Sequence, residues 1–204
     1  MAVERLSRAE RREQTREGLI EAADRLFASG GFHATTLDQI AAAASYTKGA
    51  VYSNFASKED LFFGVYERRS ERTVEQVERM LAEHGPAAGL ERLAVDTSAR
   101  RGRDDRWLAV FFEFWAHAIR HPEYRARFAE IHARLQRPVA AALERLADEQ
   151  GVDLPVGALP LAVATNAMQV GLALERLTQP EVVDDALGGL MARLVLEDLE
   201  RRKG

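Results

Sequence analysis

The chain has 204 residues, with 28 Lys and Arg against 32 Asp and Glu and a formal net charge of −4. That length can bury a sizeable core in one or two domains, and the absence of cysteine excludes disulfide scaffolds, thiol catalysis and Cys-based zinc sites. The slight acidity gives no general attraction for nucleic acid, so DNA binding would need a local patch; the opening MAVERLSRAERREQ lacks the apolar core of a secretory signal, which makes the cytoplasm the expected compartment.

The periodicity is helical nearly throughout, and alternating β-branched runs are missing. A first helix is expected from about Arg8 to Ser29, with Leu19, Ile20, Ala23, Leu26 and Phe27 on one face and Gly30-Gly31 as its stop. Thr36 with Gln39 three residues on forms a capping box, opening a short helix from Leu37 to Ala43 or Ala44. After Ser45-Tyr46, Thr47 reads as the next N-cap and Phe55 as the end of the helix it starts. Ser57 is a further N-cap, with Glu59 and Asp60 where the helix dipole favours acidic groups. The following helix runs from Lys58 to about Glu83, carrying Leu61, Phe62, Val65, Tyr66, Val74, Val77 and Leu81, and Gly85-Pro86 breaks it. Breaks at Gly102, His121-Pro122, Gly151 to Pro155 and Gln179-Pro180 imply about five more helices.

Two short helices joined by a tight turn make residues 36–55 a helix-turn-helix candidate. A recognition helix needs short or polar side chains near its start so that its backbone can approach the major groove. Thr47, Lys48, Gly49 and Ala50 meet that need. Glycine in a helix interior costs about 1 kcal/mol against alanine, so a close-approach role is a reason to have Gly49 there. Val51 and Phe55, four apart, can face the core, which leaves Lys48, Tyr52, Ser53 and Asn54 toward solvent or DNA. The competing reading makes Tyr52 and Phe55 core aromatics and Lys58 a solvated side chain.

The segment TTLDQIAAAASYTKGAVYSNFASKEDLF, residues 35–62, resembles the helix-turn-helix signature of the tetracycline-repressor (TetR) family of transcriptional regulators. The matching positions are Thr36, Ile40, Ala41, Ala44, Thr47, Lys48, Gly49, Val51, Tyr52, Phe55, Lys58 and Leu61, and the upstream Ala22-Ala23, Leu26, Phe27, Gly30-Gly31 and Phe32 also fit. The resemblance covers about the first third of the chain; the rest matches in length, helical character and helix order. Ser45 departs from the pattern, since many family members have glycine in that turn. The resemblance implies that Thr36, Tyr52 and Lys58 contact phosphates. It also implies that Thr47, Lys48, Gly49 and Ala50 lie nearest the base edges, with Ser53 or Asn54 beside them. Such a split between positioning and specifying contacts is usual.

Charge placement points the same way. Residues 1–58 carry a net +1 and the remainder −5. On the first helix Arg5, Arg12 and Arg16 continue the azimuth of the apolar stripe, and Glu10, Glu13, Glu17, Glu21 and Asp24 lie opposite. Those arginines could meet a phosphate backbone, or simply be solvated.

Residues 107–119, WLAVFFEFWAHAI, are apolar on nearly every azimuth, as in a helix buried in a bundle. Aromatic helices can enclose an apolar ligand cavity, although aromatics at this spacing are more often plain core. Phe111, Trp115, His117, Phe128, His132, Met168 and Gln169 are the pocket candidates. The resemblance implies such a pocket, whose ligand changes the spacing of two DNA-reading heads. Glu113, His117 and His121 fall at i, i+4 and i+8, a spacing able to hold a metal. With no HExxH motif and His121 at a helix end, a cap or pocket role is favoured.

Leu154 to Leu174 is uncharged and long enough to raise a membrane span, but Pro155, Pro160, Asn166 and Gln169 and the lack of flanking anchors argue against one. A second apolar helix bearing Val182, Val183, Ala186, Leu187, Leu190, Met191, Leu194 and Val195 could join it and their symmetry mates in a four-helix dimer interface. Gly171, Ala173, Gly188 and Gly189 would allow close approach there. The resemblance implies the same homodimer.

Nucleophile elbows, phosphate-binding loops and dinucleotide fingerprints are absent, so the chain is not expected to be an enzyme. The expectation is an all-α protein: a three-helix DNA-binding module in residues 1–57, then a helical ligand-binding and dimerisation domain in 58–204. It would repress transcription as a homodimer on a palindromic operator in double-stranded DNA until a small-molecule effector releases it, with no cofactor, metal or membrane. The alternative is a helical small-molecule-binding or interaction module without sequence-specific DNA binding.

Overall fold

The computed structural model describes residues 7–101 and 105–202, and their regular structure is entirely helical. In chain order the helices are α1 (Arg8–Gly30), α2 (Leu37–Ala43), α3 (Lys48–Asn54), α4 (Lys58–His84), α5 (Pro86–Arg101), α6 (Asp105–Arg120), α7 (Pro122–Gln150), α8 (Ala158–Thr178) and α9 (Asp185–Arg201). Arg5 and the expected break at Gly102 lie outside the described residues.

Local chemistry starts and stops these elements. Ser7 caps α1 in a full capping box, its Oγ accepting from the Glu10 N–H while Glu10 accepts from the Ser7 N–H. Gly31 closes α1 at φ 83°, in the left-handed region that favours glycine, and its N–H donates to the Phe27 carbonyl at 2.8 Å. Thr36 and Gln39 form the expected box on α2, at 3.2 and 2.8 Å. Thr47 Oγ1 accepts from the Ala50 N–H at 3.2 Å to open α3. Between them Ser45 has φ 58°, a left-handed conformation that costs an L-residue about 1–2 kcal/mol; this is the turn position where the sequence departs from glycine. Asp184 caps α9, its carboxylate accepting from Ala186 and Leu187, so Val182 and Val183 precede that helix instead of joining it.

The chain forms two compact units, one drawn from Met1–Arg69 and Ala109–Phe128, the other from Ser70–Leu108 and Ala129–Gly204, so the division falls inside α4, α6 and α7. The first unit therefore takes in more than residues 1–57. One long helix and two of seven residues have too little apolar surface to close a core of their own. Leu61, Phe62, Phe63 and Val65 of α4 and Phe111 and Phe114 of α6 complete what Phe27, Phe32, Ile40, Val51 and Phe55 begin. Phe62 and Phe114 stack with centroids 3.8 Å apart, and Phe32 meets both edge-on.

In the second unit α5 packs against α9 and α8, around a core that includes Leu143, Leu146, Ala162 and Leu199. Gly189 permits the closest approach: a Cβ there would sit 2.5 Å from Val95 Cγ2. Its small size thus serves packing of α9 on α5 within one chain. Among the described residues no helix is long and apolar enough to cross a membrane. α8 begins inside the uncharged run and continues through Glu175 and Arg176.

Candidate nucleic-acid interface and effector cavity

The short helix α3 has one buried side and one open side. Val51 and Phe55 point into the core, while Thr47, Lys48, Gly49, Tyr52 and Ser53 are exposed and Ala50 and Asn54 half-buried. Tyr52 is 55% exposed, so it is not a core aromatic; Phe55 is buried and lies under the Arg16 guanidinium, 4.6 Å from its ring centre. A Cβ on Gly49 would meet nothing nearer than Thr47 Oγ1 at 3.8 Å, so packing within the chain does not demand glycine. Lys48 Nζ donates to Asp38 at 2.8 Å, and the hydrogen bond and charge of Asp38 hold its ammonium above the ordinary lysine pKa. Nothing in the sequence spacing signals this pair, because ten residues and a turn separate its members. Ser53 Oγ and Asn54 Nδ2 both donate to the Ala50 carbonyl, and Asn54 Oδ1 is buried without a partner. Arg12 Nη2 reaches the Ser53 carbonyl at 3.5 Å.

The loop entering α2 is gripped from two sides. Lys58 Nζ donates to the carbonyls of Phe32, His33 and Thr35 at 2.9, 3.2 and 3.1 Å and lies 4.5 Å over the Phe32 ring. An ammonium has three N–H donors, and here the chain itself takes all three. Glu113 accepts from the N–H groups of Phe32 and His33 at 2.8 and 2.9 Å. Thr36, the α2 cap, follows directly. The expected metal-like spacing of Glu113, His117 and His121 thus has another use for its carboxylate, and among the described residues no His or acidic cluster could hold a metal ion. The rings of His117 and His121 lie 4.3 Å apart. Burial first, then the neighbouring His121, pushes the His117 pKa down from 6.5, and its Nε2 is buried without a partner.

A cavity of about 170 Å3 opens within the second unit. Of the sequence candidates, Met168 and Gln169 line it, and His132 sits one contact away, 3.3 Å from the amide of the lining residue Asn166. Phe111, Trp115 and Phe128 do not line it; their rings pack on one another at 5.3–5.7 Å in the first unit, and His117 joins Phe32 and Phe114 there. Helical spacing gives the face of a residue but not the core that face meets, which is why the seven separate. Gln136, absent from the sequence candidates, also lines the cavity. Elsewhere on this unit large apolar side chains remain exposed: Leu159, Val163, Leu174 and Leu177 on α8, and Leu190 and Leu194 on α9.

Residues 19–65 match the family described as bacterial regulatory proteins, tetR family, and residues 86–200, more than half of the chain, match the BetI-type transcriptional repressor C-terminal family. The chain belongs to the tetR family of bacterial regulatory proteins. This tetR-family protein is a DNA-binding transcriptional regulator with the repressor-type C-terminal half. It is similar to the HTH-type transcriptional repressor AcnR of Corynebacterium efficiens, 28% identical over 153 residues that span 74% of this chain and 77% of the relative. Its fold is shared with a candidate transcriptional regulator of Pseudomonas aeruginosa PAO1 at a TM-score of 0.78 and 20% identity, covering 93% of this chain and 91% of that one. It is also shared with the transcriptional regulator FadR of Bacillus subtilis, solved in complex with stearoyl-CoA, at a TM-score of 0.69 and 17% identity, covering 90% and 96%.

Proposed function

We propose that this tetR-family regulator is a repressor that binds a palindromic operator as a homodimer and leaves it when a small molecule occupies the cavity of the second unit. The observation that carries the reading is the open side of α3, where Thr47, Lys48, Gly49 and Tyr52 are exposed and a Cβ on Gly49 would meet no crowding. In this reading Thr47, Lys48, Gly49 and Ala50 approach the base edges, with Ser53 and Asn54 alongside, and Tyr52 and Thr36 meet phosphates. Lys48 exchanges Asp38 for an acceptor on the DNA. Lys58 acts as a positioning residue, because its donors hold the loop that sets the α2 cap. The reading head lies in residues 1–57 and the effector and dimer functions in 58–204; the site of action is the cytoplasm, where the chromosome is.

The exposed apolar stripes of α8 and α9 support a homodimer in which both helices meet their symmetry mates, with Gly171 open to close approach. Two-fold symmetry then sets two α3 helices on two half-sites. The stearoyl-CoA complex of FadR supports effector control on this fold. Release follows if the effector binds the DNA-incompetent conformation more tightly; equal affinity for both would shift nothing. The reading is tested by footprinting on the DNA flanking its own reading frame, paired with sedimentation of the free protein. A symmetric footprint and a dimer are expected. A monomer that protects no sequence over random duplex would favour the plain ligand-binding module and overturn the proposal.

A further inference from the structure

The cavity of the second unit has an unusual polar inventory. Its wall is mostly aliphatic, with Val77, Leu90, Leu143 and Leu196 among the lining residues, and no charged side chain lines it among the described residues. Most of its polar groups are already engaged. Thr165 Oγ1 donates to the Ala162 carbonyl of its own helix, Gln169 Nε2 donates to the Gly188 carbonyl, and the Asn166 amide meets His132. Gln136 is different. Its residue is only 9% exposed, it faces the cavity, and no described residue hydrogen-bonds its side chain.

An amide that faces a mostly aliphatic cavity offers its hydrogen-bonding groups to whatever fills that space. The flanking positions Leu135 and Val139 show that aliphatic side chains fit this stretch of α7. A primary amide presents one carbonyl acceptor and two N–H donors, so its natural complement offers a donor and an acceptor side by side. A carboxylate or phosphate placed in the same cavity would lose its hydration with no counter-charge to replace it. Size sets a further bound, since a cavity of roughly 150 Å3 accommodates benzene.

Building on the effector role proposed above, we infer that the cavity takes an uncharged, largely apolar molecule of about one ring, carrying a single carboxamide-like group that pairs with the Gln136 amide. A carboxylate or phosphate seated against this wall is disfavoured, because no lining side chain carries a counter-charge. Gln136 is the residue that sets this preference.

The test uses the full-length protein and three matched probes, benzamide, benzoate and ethylbenzene, titrated by NMR with affinities read from the cavity-lining resonances. Benzamide is expected to bind at least tenfold more tightly than benzoate. Gln136→Met, which keeps the length of the side chain and removes its polar atoms, should lose that preference by weakening benzamide about tenfold. It should leave ethylbenzene binding equal or stronger. The variant should also melt no lower than the parent, because it replaces an amide in a mostly aliphatic wall with an apolar side chain; Gln136→Leu serves as the second variant if the first fails to fold. Benzoate binding as well as benzamide, or benzamide binding unchanged in Gln136→Met, overturns the inference while ethylbenzene binding leaves the effector cavity standing. Failure of all three probes to shift the lining resonances removes both this inference and the effector reading on which it rests.

Discussion

Gly49→Ala separates the packing of α3 from its work. The added methyl group would find open space, with Thr47 Oγ1 at an ordinary van der Waals distance of 3.8 Å as its nearest neighbour. Glycine costs a helix about 1 kcal/mol against alanine in the interior and less near an end, and residue 49 is the second residue of α3. The variant should therefore gain from a few tenths to about 1 kcal/mol in stability, a rise in Tm of up to about 2–4 °C for a chain of this size. On DNA the same methyl group would stand where backbone and groove come closest. Displacing one good base contact costs about 1–3 kcal/mol, so operator affinity should drop on the order of tenfold or more. Thermal melting and fluorescence anisotropy with operator duplex at fixed salt read the two effects on one preparation. A stabilised protein with weakened binding is expected. Unchanged operator affinity would show that Gly49 does not face the groove, and a lowered Tm would show that the space beside it is not free.

Ser45→Gly should raise Tm by a few degrees at most, by relieving the left-handed backbone at φ 58°, and leave operator affinity unchanged; Ser45→Val should destabilise. Lys58→Met should weaken operator binding yet leave the slope of log affinity against log salt unchanged, because its ammonium is spent on the Phe32, His33 and Thr35 carbonyls; a slope reduced by about one would return Lys58 to the phosphates. Tyr52→Ala should weaken specific and nonspecific duplex alike in anisotropy titrations, with no change in melting beyond about 0.5 kcal/mol for so exposed a side chain. His117 favours its neutral form in the fold, so as pH falls through 6.5 the unfolded chain takes up the proton first and stability declines toward the lower folded-state pKa. Urea denaturation at pH 7.5 and 5.5 should show that decline, and His117→Asn should reduce it.

The parts of the fold legible in the sequence are those set by neighbours in the chain. Thr36 with Gln39, Thr47 before α3 and Gly85-Pro86 act within one helical turn, so their spacing is enough. Two further caps are equally readable: Ser7 stands three residues before Glu10, and Asp184 stands two residues before the apolar run that Ala186 and Leu187 open. Alternation of buried and exposed sides on α3 followed from Val51 and Phe55 alone. The opposite case is Lys58, whose partners lie 23 to 26 residues upstream and are backbone carbonyls that any residue could supply. Glu113 is similar: its helical spacing to two histidines suggests a metal, whereas the loop it holds is 80 residues away. Helical spacing marks the aromatic candidates as core or pocket residues alike, and only packing decides that Phe111, Trp115 and Phe128 close the first unit while Met168 and Gln169 line a cavity in the second. Gln136 carries no spacing signal at all. A lone glutamine on a long helix becomes informative only when the fold places it on the wall of a cavity.

The central claim is that the open side of α3 reads DNA, and that two copies do so together. Selection of bound fragments from a genomic library by the full-length protein tests it most directly. A palindromic consensus, with half-site centres about one helical turn or a multiple of it apart, is the predicted result. Recovery of fragments without a shared sequence, or of a single unrepeated motif, would contradict it.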